Sequence, residues 1–262
     1  MPPTHERTDE HPDIITLNMG PSHPATHGVL RIVLRLDGET VVKATPHIGY
    51  LHRGMEKIAE NRTYLQFLPY TDRMDYLSPL AANVGFALAI EDLLGIRVPP
   101  RCEAIRVLCC ELARIGSHLV WLGTHALDMG AGTVFFHTFR DREWHYDLIE
   151  DLTGARLTTS FTRVGGLARD ADPEWLRRLR DFVDAMPRRI REYEALLTKN
   201  TIWLKRTRGV GVLRAADALS WGVTGPSLRA SGVEHDVRKA RPYSGYERYD
   251  FEIPTGSEGD IY

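Results

Sequence analysis

Between positions 101 and 127 the apolar residues Ile105, Leu108, Leu112, Ile115, Leu119 and Leu122 recur at spacings of three and four. That period belongs to an α-helix with one buried stripe. Such a stripe has to be covered, so the chain must supply other elements that pack on it. Gly130 stands just past the run, where a helix stop is expected. Related patterns predict a small-residue helix over 79–94 closed by Gly95. They predict a third from about 134 to 152 with Gly154 after it, and a fourth from about 173 to 197, which Pro187 can kink.

Ahead of position 79 the period is different. Residues 14–18 and 29–36 have the composition of strands. Asp37-Gly38 is a hairpin signal, and 40–45 reads as the returning strand. A connecting loop over 46–52 leads to a short helix candidate at 53–61. Past about 208 the chain turns rich in glycine and proline. Tyr246–Ile253 alternates like a strand, 254–260 reads as a hairpin turn, and Ile261-Tyr262 would open the return strand. A strand edge left unpaired there suggests a chain cut part-way through an element.

The expected class is therefore α+β. Residues 1–12 form a disordered tail, 13–78 an N-terminal antiparallel β-sheet region, 79–208 a helical bundle, and 209–262 a turn-rich segment. The first residues lack the apolar core of a signal peptide. The apolar stretch 79–90 is too short to span a bilayer and is closed by Glu91-Asp92.

Charge excludes one class. Thirty-three basic residues against 35 acidic ones leave a formal net charge of −2, so nothing points to nucleic acid. The three cysteines, Cys102, Cys109 and Cys110, contain no C-x-x-C pair, and the chain alone cannot build a thiolate metal site or an iron–sulfur cluster. They read as small core residues. No glycine-rich phosphate loop, dinucleotide fingerprint or nucleophile elbow is present.

Four stretches could carry chemistry. In Gly20–Gly28 the histidines His23 and His27 are four apart, the spacing of a helical metal site, but Pro21 and Pro24 disfavour a helix. Three readings stay open: a metal site, two loop histidines satisfied by backbone groups, or a proton-handling site. In Tyr70–Tyr76, Arg73 lies between Asp72 and Asp75 and reads as an ion-pair cluster, with Tyr76 either a core aromatic or a donor to a buried ligand. In Thr124–Gly130, Asp128 ends an apolar helix, where its carboxylate faces the negative end of the dipole at a cost of about 0.3–1 kcal/mol. It either points into water or has a cation or imidazolium beside it. The paired glycines Gly165-Gly166 permit a tight turn beside Arg163.

Together these stretches resemble one family. Asn18–Leu30, His47–Lys57, Asp72–Ser78, Thr124–Ala131, Phe135–Glu143, Arg163–Gly166, Leu228–Val233 and Asp236–Lys239 are similar, in order, to the blocks of the D subunit of the NADH-quinone oxidoreductase, respiratory complex I. The resemblance implies a fold related to the [NiFe] hydrogenase large subunit. It implies a peripheral-arm subunit on the cytoplasmic side of a bacterial cell membrane, packed against the iron–sulfur B subunit, the C subunit and the membrane arm. Quinone would be reduced beside a [4Fe-4S] cluster held by the neighbour, with NAD at a distant subunit and no cofactor held by this chain alone. His27 and Tyr76 would bond the two quinone carbonyls, and Asp128 would partner His27. His23 and Thr124 would line the pocket, and Arg73 would lie near the cluster.

One departure stands out. Family members commonly carry a histidine near the cluster in the stretch matching Arg156–Phe161, where this chain has Thr158 and Thr159. A cluster potential less dependent on pH is expected. Two other readings are a membrane-bound [NiFe] hydrogenase relative, for which the thiolate pairs are missing, and an assembly paralogue without quinone chemistry.

Overall fold

The computed structural model describes residues 6–7 and 14–262, and the chain divides into two compact units, 1–63 and 64–262. Apart from Glu6–Arg7, the tail expected over 1–12 lies outside the described residues.

The first unit is an antiparallel sheet in chain order, β1 (Glu6–Arg7), β2 (Ile14–Met19), β3 (Arg31–Asp37) and β4 (Thr40–His47), followed by α1 (Met55–Glu60). β2 and β3 pair from Ile14 opposite Asp37 to Met19 opposite Ile32. The Asp37-Gly38 signal gives the expected hairpin, with Asp37 opposite Thr40 and Gly38 at φ +57. Pro46 lies in β4, the outer strand, where its missing N–H costs no ladder bond on the open side.

The second unit is helical. α2 (Tyr64–Thr71), α3 (Pro79–Leu94), α4 (Pro100–Asp128) and α5 (Gly132–Thr153) lead to a two-strand hairpin, β5 (Thr162–Arg163) and β6 (Gly166–Leu167). Then come α6 (Pro173–Leu197), α7 (Thr201–Thr207), α8 (Ala215–Ser220), α9 (Gly225–Ala230) and α10 (Val237–Ala240). α4 is the spine. Its Ile105, Leu112 and Leu119 are buried, and Leu108, Ile115 and Leu122 are packed at the margins of the core. Leu80 of α3, Leu148 and Leu152 of α5, and Trp175, Leu179 and Phe182 of α6 close around them. α5 approaches α4 closely because Gly116 and Gly123 have no side chains. A Cβ at Gly116 would lie 2.5 Å from the His145 ring, and one at Gly123 2.4 Å from the Thr138 hydroxyl. The predicted stops hold: Gly95 and Gly154 cap α3 and α5 in the left-handed region. α6 runs through Pro187, and Asp172 caps its start by accepting from the Trp175 N–H at 2.8 Å.

The C-terminal part corrects the sequence reading. Tyr246–Ile253 is not a strand: Tyr246–Arg248 is a single 3₁₀ turn and no strand follows. The alternating residues are used for packing instead. The Tyr246 hydroxyl donates to Glu111 of α4 at 2.6 Å, and the Arg238 guanidinium lies 4.6 Å from the Phe251 ring centre. Nor does 254–262 form a hairpin. Gly256 and Gly259 donate to the carbonyls of Arg229 and Ala230 at the end of α9, while Leu213 donates to Gly259 and Ile261 to Val210. α8, α9 and α10 are short helices inside the stretch expected to be turns.

Candidate functional site

The histidine loop joins β2 to β3 in the first unit. Its closure depends on Gly20, at φ +84, where a Cβ would sit 1.9 Å from the Leu30 carbonyl oxygen. Pro24–Thr26 form one 3₁₀ turn. His23 caps it from an extended conformation, its Nδ1 accepting from the Ala25 N–H at 3.1 Å. The buried Thr26 hydroxyl lies 2.8 Å from the His23 carbonyl and 3.0 Å from that of Gly28, pinning the loop across its neck. His27 ends the turn in the left-handed region at φ 49, uncommon for a residue with a side chain. The four-residue spacing is thus wrapped around a tight turn, not laid along a helix face. Both rings are exposed on this unit, and the outward nitrogen of His23 is Nε2.

The Arg73–Tyr76 turn joins α2 to α3 in the second unit and is fixed from beneath by Asp72. Asp72 is fully buried. Its carboxylate accepts from the Ser160 N–H at 3.1 Å and from the Ser160 hydroxyl, with the Thr159 hydroxyl at 3.5 Å. Arg73 lies 3.8 Å from the same carboxylate and donates to the Pro69 carbonyl. Asp75 accepts from the Leu77 N–H, and the Tyr76 ring is half exposed. Arg73 therefore does belong to an ion-pair cluster, and Asp72 is its buried member.

Asn83 of α3 extends this frame, donating to the Thr71 hydroxyl at 2.8 Å and accepting from the Phe161 N–H at 3.1 Å. Ser160 sits at φ 41, a strained position that Asp72 and the Arg163 guanidinium hold from either side.

The third group lies at the end of α4. Thr124 and Asp128 are one turn apart, and the Thr124 hydroxyl donates back to the Val120 carbonyl at 2.9 Å. Asp128 is the last helical residue. Arg206 of α7 donates to the Met129 carbonyl at 2.7 Å, so a guanidinium stands at the negative end of the dipole. This contact is to the Met129 carbonyl, and no spacing rule pointed to it. The six expected site residues fall into three local groups: His23 with His27, Arg73 with Tyr76, and Thr124 with Asp128.

Three supporting residues had no site role in the sequence reading, Asn83, Glu91 and Arg106, while Asp72 entered only as a neighbour of Arg73. Arg106 of α4 and Glu91 of α3 form a buried fork, with contacts of 2.7 and 2.6 Å. Arg106 also donates to the carbonyls of Arg163 and Gly166, and Glu91 accepts from the Gly165 N–H at 2.7 Å. The pair thereby anchors the glycine turn beside Arg163. Burial opposes the charge on Glu91, but the Arg106 guanidinium and the Gly165 amide outweigh it and hold the carboxyl below its ordinary range. The signal was an arginine directly after Ile105 of the buried stripe, among apolar neighbours that leave it to find a buried partner. The cysteines are inert by the same physics: burial pushes the Cys110 thiol up to about 12 and Cys109 higher still. These protonated core thiols, all on one helix, do not fit an iron–sulfur cluster.

The family described as the 49 kDa subunit of the respiratory-chain NADH dehydrogenase matches residues 128–262. The D subunit of the NADH-quinone oxidoreductase of Methylacidiphilum infernorum is 58% identical over 248 residues, 95% of this chain and 59% of its own length. The protein of the same name from Geotalea uraniireducens is 55% identical over 250 residues, 95% of this chain and 64% of its own. The D-type subunit numbered 1 from Opitutus terrae is 57% identical over 250 residues, with 95% and 59% covered. The chain therefore spans about three fifths of the length of these relatives. With its small antiparallel sheet followed by a helical core, this chain belongs to the family of the 49 kDa, or D-type, subunit of the respiratory-chain NADH dehydrogenase.

Proposed function

We propose that this chain forms the quinone-reduction site of a proton-translocating NADH-quinone oxidoreductase, together with an iron–sulfur subunit. The observation that carries the reading is the name shared by relatives 54–58% identical over 95% of the chain. His27 and Tyr76 bond the two quinone carbonyls, Asp128 partners His27, and His23 and Thr124 line the pocket. Arg73 lies toward the neighbour's cluster. Reduction to the quinol takes two electrons and two protons. The electrons come from the neighbour's [4Fe-4S] cluster, and NAD is handled at a distant subunit. The protons come from the Tyr76 hydroxyl and the His27 imidazolium. Two donors aimed at the oxygens before reduction stabilise the charge that develops there.

The His27 loop supports this role. Its backbone is fixed by Gly20, Thr26 and the His23 cap, so an exposed imidazole is held in one place without a helix behind it. The Tyr76 turn is held as firmly by Asp72. Change at His27 and Asp128 on protonation of the quinone is the signal passed to the proton-pumping membrane arm. The chain acts at the cytoplasmic face of the membrane beside the B and C subunits. No helix among the described residues is long and apolar enough to cross a bilayer. Thr158 and Thr159, where the family commonly has a histidine, give a cluster potential that depends less on pH.

The test is quinone reduction by the assembled complex carrying Tyr76→Phe or His27→Ala. Loss of quinone reduction with electron input to a soluble acceptor intact is expected; full quinone activity overturns the assignment. A redox titration with the usual pH slope overturns the expectation for Thr158.

A further inference from the structure

A small cavity lies between α4 and α5, lined also by Leu77 and Leu157 of the turns nearby. Its volume is about 20 Å³. Arg142 and His145, one turn apart on α5, both line it, and each is more than nine-tenths buried. Both bring a polar atom with no hydrogen-bond partner: Nε of Arg142 and Nδ1 of His145.

The two atoms have opposite needs. His145 Nε2 lies 2.9 Å from the Leu112 carbonyl, which can only accept, so Nε2 carries the ring proton. Burial, with Arg142 nearby, pushes the His145 pKa down to about 4, so the ring is neutral and Nδ1 is a bare acceptor. Arg142 Nε–H is a donor, and its guanidinium is otherwise placed over the Tyr146 ring, 4.4 Å from the centre. One molecule that accepts from Arg142 and donates to His145 satisfies both. A buried polar atom left unpaired is destabilising, so two on the lining of one cavity are a strong demand for such a molecule. A water needs about 10–15 Å³ and at least two polar partners. The cavity meets both conditions.

The geometry points to a single internal water bridging Arg142 Nε and His145 Nδ1, set as part of the floor under the Tyr76 turn. An anion is the competing ligand, because Arg142 and Arg156 both flank the cavity. The bare Nδ1 disfavours it, since it would place a lone pair against a negative charge.

Crystals of the protein in its assembled complex, at a resolution that resolves waters, test the proposal directly. One peak within hydrogen-bonding distance of both nitrogens, with no anomalous signal there after a bromide soak, is expected. No peak, or a bromide peak, overturns it. Nitrogen NMR of His145 gives a second readout in the unaltered protein: a proton on Nε2 and an Nδ1 resonance shifted by an accepted hydrogen bond. An unshifted Nδ1 overturns the bridge. In Arg142→Met the water is lost and the Nδ1 shift moves to the unbonded value; persistence of both also overturns it.

Discussion

The two halves of α4 differ in what covers them. The first half, from Cys102 to Ala113, is enclosed by α3, α5 and α6 and carries the buried Arg106–Glu91 fork. The second half, from Leu119 onward, borders an apolar groove of about 450 Å³ lined by Leu122, His125, Tyr193 and Trp203, with Trp121 more than half exposed at its rim. Thr124 and Asp128, which have roles in the proposed function, both lie on this second half. One helix thus divides its tasks by position. Its packed half fixes the fold, and its open half presents polar groups. The division predicts that substitutions in the first half are read as lost stability and those at the presented groups as lost activity.

The largest effect expected is at the fork. Arg106→Met leaves Glu91 as a buried, unpaired carboxylate and frees the carbonyls of Arg163 and Gly166. A loss of about 3–5 kcal/mol is expected in denaturant unfolding. Hydrogen exchange should also rise at the Gly165 amide, which loses its ordered acceptor. A loss under about 1 kcal/mol would mean that the halves do not differ in the way proposed.

The next effect follows acid. His145 titrates at about 4 in the fold and 6.5 when free. Between those values the unfolded chain binds a proton that the folded chain refuses, so stability rises with pH across the window and is lost as pH falls through it. The His145 contribution is about 3 kcal/mol from pH 6.5 down to pH 4. His118, one residue ahead of the second half of α4, is lowered chiefly by burial, with Arg114 and Arg229 adding to it, and contributes in the same direction. Stability profiles of His145→Gln and His118→Gln separate the two. The steeper flattening is expected for His145. Asp236 acts in a separate window. The Arg238 hydrogen bond holds its carboxyl at about 2, and its stabilisation is lost as pH falls from 3.8 through that value.

Glycines give the third comparison. Gly116→Ala drives a Cβ into the His145 ring, which the Leu112 carbonyl holds in place, and should cost about 1–3 kcal/mol. Gly85 lies on the exposed side of α3 with open space where a Cβ would go. Gly85→Ala should instead stabilise by about 0.5–1 kcal/mol through helix propensity. Thermal unfolding of the two variants gives opposite signs if close approach, and not helicity, keeps Gly116 as glycine.

These contrasts also mark how far the sequence could be read. α4 was legible because its stripe is local: every apolar residue that defines it lies within four positions of the next. The hairpin at Asp37-Gly38 and the stops at Gly95 and Gly154 were legible for the same reason. The frame of the site was not. Asp72 finds Ser160 across 88 positions, Glu91 finds Gly165 across 74, and Tyr246 finds Glu111 across 135. Tyr246–Ile253 misled because alternation is the mark of a strand only when another strand pairs with it; here the same residues lie on α4 and α10. The Met129 carbonyl, next to Asp128, finds Arg206 across 77 positions.

The smallest effect on folding is expected at Tyr76, and it makes the sharpest test of the comparison. The ring is half exposed, and the turn that carries it is held by Asp72 and Asp75, not by its own hydroxyl. Tyr76→Phe removes one oxygen from an exposed position, and stability should stay within about 0.5 kcal/mol. Asp72→Asn removes the charge that holds Arg73 and weakens its bonds to Ser160, so it should cost about 1–3 kcal/mol in the same unfolding assay. In quinone reduction by the assembled complex the order reverses. On the proposed role of Tyr76, loss of a proton donor lowers turnover by about 10²-fold or more, whereas a displaced but intact donor retains part of its effect. If Asp72→Asn lowers turnover as far as Tyr76→Phe, the hydroxyl has no role separable from the scaffold, and the distinction between packed and presented residues fails at this turn.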